Sequence, residues 1–190
     1  MEIVEVGIKL DRDFEYYDAL LRSKGLVNDY KVRTHDIYYT NQDLNELSEN
    51  QMKNACIRLR SCNDSNYKIQ NNLINNKFRD KEVSATKLDQ FEHKLFKLGY
   101  RKVFDTVKDD YHYYKDGMSS KIQLQQIEDI GLLVYYDNKD YYQFDLETQR
   151  KRLIDELNLY GFNIDYDVLG LDKLRTLYYG KEMYSKTQNG

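Results

Sequence analysis

Cys56-Ile57-Arg58-Leu59-Arg60-Ser61 alternates apolar and polar side chains residue by residue. A period of two is that of a β-strand, so Ile57 and Leu59 take one face while Arg58 and Arg60 take the other. Two guanidiniums placed this way stand about 7 Å apart. That spacing matches successive phosphates of a chain, and Arg forms forked, charge-assisted hydrogen bonds to phosphate oxygens. The same pair also reads as solvated charges on a strand edge, and the rest of the chain has to separate the two readings.

On the N-terminal side of this strand, Glu2 to Leu10 alternates in the same way, with Val4, Val6, Ile8 and Leu10 on one face and Ile3, Glu5, Gly7 and Lys9 on the other. Apolar positions from Phe14 to Leu26 follow helical spacing, with Asp11 and Asp13 near the start and Gly25 near the end. A strand is expected at Val32 to Tyr39. On the C-terminal side, strands are expected at Tyr67 to Leu73, Lys102 to Tyr114, Lys121 to Ile127 and Leu132 to Tyr142, with Lys115-Asp116-Gly117 as a hairpin turn. Ala85 to Leu98 and Leu146 to Tyr160 read as helices, and Leu171 to Tyr178 as a short one. The order of strand, helix, three strands, helix, three strands, helix gives two similar halves of an α+β chain and no parallel βαβ unit. A closed barrel with a polar lumen would use both strand faces. An open sheet with one solvated face would use them too.

With 190 residues, one domain spanning 1–180 is expected, followed by a flexible tail at 181–190. Cys56 and Cys62 lack C-x-x-C spacing, which points to neither a zinc site nor a disulfide framework and fits a reducing compartment. Charges interrupt the apolar N-terminus, so neither a signal peptide nor a membrane span is expected, and the location expected is cytoplasmic. A net charge of −3 repels nucleic acid as a partner and requires any phosphate binding to be local. His35 and His112 read as packing or surface residues ahead of acid/base groups. The paired tyrosines of the strands read as packing, and Arg150-Lys151-Arg152 as a solvated helix face. No P-loop, Rossmann glycine pattern or nucleophile elbow occurs.

Taken in order, several of these segments resemble the CYTH family, which includes class IV adenylyl cyclases and thiamine triphosphatases among the triphosphate tunnel metalloenzymes. Glu5-Val6-Gly7-Ile8-Lys9 resembles its opening E-x-E-x-K, and Asp36-Ile37-Tyr38-Tyr39-Thr40-Asn41 its D-x-Y-F-D-T. Ile57-Arg58-Leu59-Arg60 is similar to its L-R-I-R. Lys108-Asp109-Asp110 resembles K-x-R, and Leu124 to Asp137 resembles L-D-x-V-x-x-L-G-x-F-x-E-x-E. The likeness runs over about residues 1 to 178.

The resemblance implies a closed eight-stranded antiparallel β-barrel with flanking helices, a triphosphate tunnel. It implies that Lys9, Arg58, Arg60 and Lys108 converge on one cavity and hold the triphosphate of an organic or nucleoside triphosphate, or inorganic polyphosphate. Mg²⁺ or Mn²⁺ would be bound by Glu5 and Asp137, with Glu128 as a further candidate, for triphosphatase or adenylyl cyclase-type chemistry. It also admits a homodimer. This chain departs from the family at Gly7, Gln125 and Tyr135, where carboxylates are lost, at Asp110 in place of an arginine, and at Asn72 in place of a lysine. Asp110 is either a replacement carboxylate or a neutraliser of Lys108. Two carboxylates leave an incomplete metal site, which a triphosphate would have to complete. The alternative is therefore a catalytically lapsed protein that binds a phosphate chain.

Overall fold

The computed structural model describes residues 4–45, 47, 49–63, 65–70, 82–166 and 177–178. In chain order, β1 (Val6–Lys9), α1 (Phe14–Ser23), β2 (Val27–Thr40) and α2 (Glu49–Ala55) come first. They are followed by β3 (Ile57–Cys62), β4 (Tyr67–Gln70), β5 (Glu82–Val83) and α3 (Leu88–Lys97). Next come β6 (Arg101–Tyr114), β7 (Ile122–Ile127), β8 (Gly131–Tyr136) and α4 (Leu146–Leu159). The strands form one eight-stranded antiparallel sheet of order β1-β8-β7-β6-β2-β3-β4-β5. Its order is open, ending on β1 and β5, where the resemblance led to the expectation of a closed barrel. Period-two alternation is common to open and closed sheets and does not carry closure. No helix among the described residues is long and apolar enough to cross a membrane.

The chain divides into two compact units, 1–31 with 109–190, and 32–108, so that β2 and β6 each pass from one unit into the other. In the first unit, α1 starts where the Asp13 side chain accepts from the Tyr16 amide at 2.9 Å, and it ends before Gly25, whose φ of 81° suits a residue without Cβ. Asp145 caps α4 in the same way, accepting from the Thr148 amide at 2.9 Å. Tyr17 and Leu21 of α1 and Leu153, Ile154 and Leu157 of α4 pack on Val6, Ile8, Leu124, Val134 and Tyr136 of the strands. These are the apolar faces that the alternation in the sequence marked.

The second unit repeats the scheme with its own core. Ile37, Tyr39, Ile57, Leu59, Tyr67 and Ile69 form one sheet face, and Leu95 of α3 covers it. The Tyr39 hydroxyl donates to Glu92 of α3 at 2.5 Å, tying helix to sheet.

The second face of the sheet is polar, and many of its residues are buried. Asp36, Thr106 and Lys108 in the second unit, and Asp110, His112, Gln125 and Tyr135 in the first, are all buried.

Several elements differ from expectation. Helix α2 falls in a polar stretch in which Met52 and Ala55 are the buried apolar residues, too few for a periodic signal. Strand β8 ends at Tyr136, short of the expected Tyr142, because the Asn138 side chain accepts from the Asp140 amide and starts a 3₁₀ turn over Lys139–Tyr141. Strand β2 starts at Val27, five residues before the expected Val32. The end of the strand expected at Leu73, the position of Asn72, most of the helix expected at Leu171 to Tyr178 and the tail at 181–190 lie outside the described residues; Leu177 and Tyr178 are helical.

Candidate functional site

In the second unit the cations gather on the polar face. Strands β2 and β3 pair with Asp36 opposite Arg60 and Tyr38 opposite Arg58, and directly opposed residues of an antiparallel pair share a face. One strand further, Arg60 stands opposite Lys68 of β4, whose side chain is exposed. Asp36 is 1 % exposed and engages Arg60 in a fork, accepting from Nε and from Nη2 at 2.6 Å each. Burial alone would raise the Asp36 pKa. The hydrogen bonds and charge of Arg60, with the charges of Lys108 and Arg58, outweigh it and hold the carboxyl far below the ordinary carboxylate range. Arg58, Arg60 and Lys108 therefore all act on one buried carboxylate.

The floor beside them is aromatic. Tyr38 stacks on Phe104 of β6 with ring centroids 4.4 Å apart, and Arg58 donates to the Tyr38 hydroxyl. Burial, with the Asp36 charge, pushes the Tyr38 pKa up to about 12, so this hydroxyl stays protonated. Lys108 is 2 % exposed, an uncommon position for an ammonium unless charge nearby compensates it.

The first unit holds the acidic candidates. Glu5 immediately precedes β1 and Asp137 immediately follows β8, at the end of the ladder closed by Val6 opposite Tyr136. Tyr135 donates to Glu5, and burial together with the charges of Glu5 and Asp137 holds its hydroxyl pKa well above the ordinary value. Tyr142 donates to Asp137 Oδ2 at 2.8 Å, and burial and this bond raise its pKa in turn. The structure thus brings Glu5 and Asp137 together around Tyr135, each carboxylate already accepting from a tyrosine. Gln125 is fully buried; its Nε2 donates to Gln123 Oε1 at 3.2 Å, while its own Oε1 has no hydrogen-bond partner among the described residues.

The remaining candidates fall elsewhere. Glu128 is exposed in the turn between β7 and β8, at the opposite end of β8 from Asp137, roughly 20 Å away along a strand of this length. It does not join the carboxylate pair, because the hairpin closes with Ile127 opposite Gly131 and carries Glu128 outward in the turn. Lys9 is exposed at the far end of β1 from Glu5, and its Cε lies 3.7 Å from where a Cβ on Gly131 would be. Lys9 belongs to the first unit, and Arg58, Arg60 and Lys108 to the second. Asp110 is buried in the first unit. His112 stacks on Tyr30, with centroids 4.2 Å apart, in line with a packing role. His35 bridges the Tyr67 hydroxyl at 2.7 Å and Asp105 Oδ2 at 3.2 Å on the opposite, helix-covered side of the second unit.

Asp36 and Tyr38 are the site residues for which sequence reasoning assigned no role. The available signal was their alternation: Asp36 and Tyr38 share a strand face, as Arg58 and Arg60 do, and only the register of β2 on β3 sets the acid opposite the base.

The donor set can be tested against a divalent ion. Mg²⁺ takes about six oxygens at near-octahedral geometry. Among the described residues no group of three or more His, Cys, Asp or Glu side chains is arranged to hold one. The two carboxylates that do approach each other already accept from tyrosine hydroxyls, and the next residue on β7, Gln123 opposite Tyr135, is a neutral amide. The described residues do not fit a resident Mg²⁺ or Mn²⁺.

No protein-family model matches the chain, and no curated protein matches it. Solved structures do. The PH1012 protein of Pyrococcus horikoshii superposes with a TM-score of 0.57 at 16 % identity, over 85 % of this chain and 92 % of its own. The PH1819 protein of the same organism gives 0.55 at 20 %, over 91 % and 98 %. A protein of Vibrio parahaemolyticus described as a "putative adenylate cyclase" gives 0.50 at 15 %, over 83 % and 87 %.

Proposed function

We propose, from the divergent CYTH-like fold that the chain shares with these structures, that it binds the phosphate chain of a triphosphate or polyphosphate on the polar face of its sheet. The observation that carries this reading is the convergence of Arg58, Arg60 and Lys108 on buried Asp36. These three cations are gathered on one face of a chain whose net charge is −3. Burial of the polar face supports the further reading that the sheet closes into a barrel with this face as its lumen.

The chemistry of binding follows from the side chains. Arg58 and Arg60 offer forked donors to non-bridging phosphate oxygens, and Lys108 adds a point charge in a site of low dielectric. Asp36 fixes the plane of the Arg60 guanidinium through its two 2.6 Å bonds, so less side-chain entropy is lost when an anion arrives. The Tyr38 and Phe104 pair gives an apolar wall on which an organic group could stack.

A second reading, with turnover, has the Glu5 and Asp137 pair in its favour, and the adenylate cyclase description of the Vibrio neighbour suggests the reaction to try. The capped carboxylates and the amides at positions 123 and 125 weigh against it, and binding without efficient turnover is the reading preferred here. The test is a calorimetric comparison of tripolyphosphate, ATP, pyrophosphate and orthophosphate. Affinity that rises with phosphate number supports the reading, and equal or absent binding of all four contradicts it.

A further inference from the structure

Resting on the phosphate-chain reading above, we infer that this protein binds its polyanion without a divalent cation, the tyrosines at positions 135 and 142 taking the place of metal on the Glu5 and Asp137 carboxylates. The argument begins with what each carboxylate already does. Glu5 accepts from the Tyr135 hydroxyl, and Asp137 Oδ2 accepts from Tyr142 at 2.8 Å. Tyr135 is 8 % exposed, so drawing Glu5 away onto an ion would strand a hydroxyl in a nearly dry environment. An ion would therefore have to compete with hydrogen bonds built into the fold, as well as with water.

The next position along the same sheet face gives a metal no further help. Gln123 pairs with Tyr135 across the β7 and β8 hairpin, so an amide and a phenol stand next to the carboxylates, and Gln125, opposite Leu133, lies one pair further from them. Amide oxygens can ligate hard cations but bring no charge; Gln123 Oε1 already accepts from Gln125 Nε2, and the unpartnered Gln125 Oε1 belongs to the position further from the carboxylates. In the second unit, Arg58, Arg60 and Lys108 act together on Asp36, so a polyanion bound there meets side-chain cations.

This assignment has a consequence opposite to the usual one for triphosphate proteins. Where metal and phosphate are bound together, each raises the affinity of the other by the same factor. Where the cations are all side chains, Mg²⁺ in solution complexes the polyphosphate and competes with the protein for it. Apparent affinity should then fall as Mg²⁺ is added.

Two titrations on the intact chain decide this. In the first, tripolyphosphate is titrated in EDTA and again in excess Mg²⁺. Binding in EDTA that is as tight as in Mg²⁺ or tighter supports the inference; tightening by Mg²⁺ overturns it while leaving the phosphate reading intact. Absence of binding in both conditions overturns the phosphate reading and this inference with it. In the second, Mn²⁺ alone is titrated into the wild type and the conservative Glu5→Gln variant. No saturable binding in the wild type is expected, and saturable binding that Glu5→Gln removes would overturn the inference.

Discussion

Replacing Asp36 by Asn removes one charge and almost no volume at a residue 1 % exposed. The wild-type carboxylate accepts two bonds of 2.6 Å from Arg60. The Asn side chain keeps one acceptor and turns an NH₂ toward a guanidinium, so one bond is lost and a donor faces a donor. Breaking a buried ion pair costs about 3–5 kcal/mol. Because the Arg60 side chain is 24 % exposed and can recover part of its hydration, roughly 2–3 kcal/mol is expected here. For a chain of this size each kcal/mol lowers Tm by about 2–4 °C, so a fall of roughly 4–12 °C follows. The pH dependence has a definite sign. The folded Asp36 pKa is depressed, so its contribution is complete above the unfolded value of about 3.9 and is lost as pH falls toward the folded value. The assay is thermal unfolding of wild type and Asp36→Asn, each with and without saturating tripolyphosphate. A phosphate oxygen can take over the acceptor role that the variant lacks, so ligand should raise Tm more in Asp36→Asn than in wild type. A variant within about 1 °C of wild type, or one that gains no more from ligand, would refute this account of the pair.

The other predictions are shorter. Arg60→Ala should lower stability by about 3 kcal/mol or more, because it leaves the buried Asp36 carboxylate without its principal partner, and denaturant unfolding checks it. Asp105→Asn should be less stable than wild type at neutral pH, because His35 and Lys102 hold the Asp105 pKa at about 2. That difference should vanish as pH is taken down through about 2, since a depressed acid contributes only above its folded pKa, and a series of unfolding midpoints against pH reads it. Gly131→Ala should cost about 1–2 kcal/mol in the same denaturant assay: the φ of 107° at the start of β8 is one that a residue with a Cβ rarely adopts.

Much of the fold is written in local alternation. Val6 and Ile8, Ile57 and Leu59, and Leu124 with Leu132 and Val134 all sit in the cores that their period of two assigns them. Asp13 and Gly25 bound α1 where their backbone chemistry says they should. Helix α2 and the two-residue β5 were not legible, the first for want of apolar residues and the second for want of length. The candidate site was legible by residue type but not by pairing. Arg58 and Arg60 were visible as one face, whereas the fork between Arg60 and Asp36 depends on a register that strands distant in sequence set only on folding. Glu128, a further candidate ligand by residue type, falls in the turn between β7 and β8, a position that the residue type alone does not carry.

The most direct test of the central claim is a calorimetric titration of tripolyphosphate into the wild-type and Arg58→Ala chains. Arg58 is the better choice than Arg60 because it contributes to the cationic group without the two-bond fork to Asp36. A charge-assisted bond to phosphate contributes about 1.5–3 kcal/mol, so Kd should weaken roughly 10- to 150-fold while Tm without ligand changes little. An Arg58→Ala chain that is folded and binds tripolyphosphate as tightly as wild type would contradict the account.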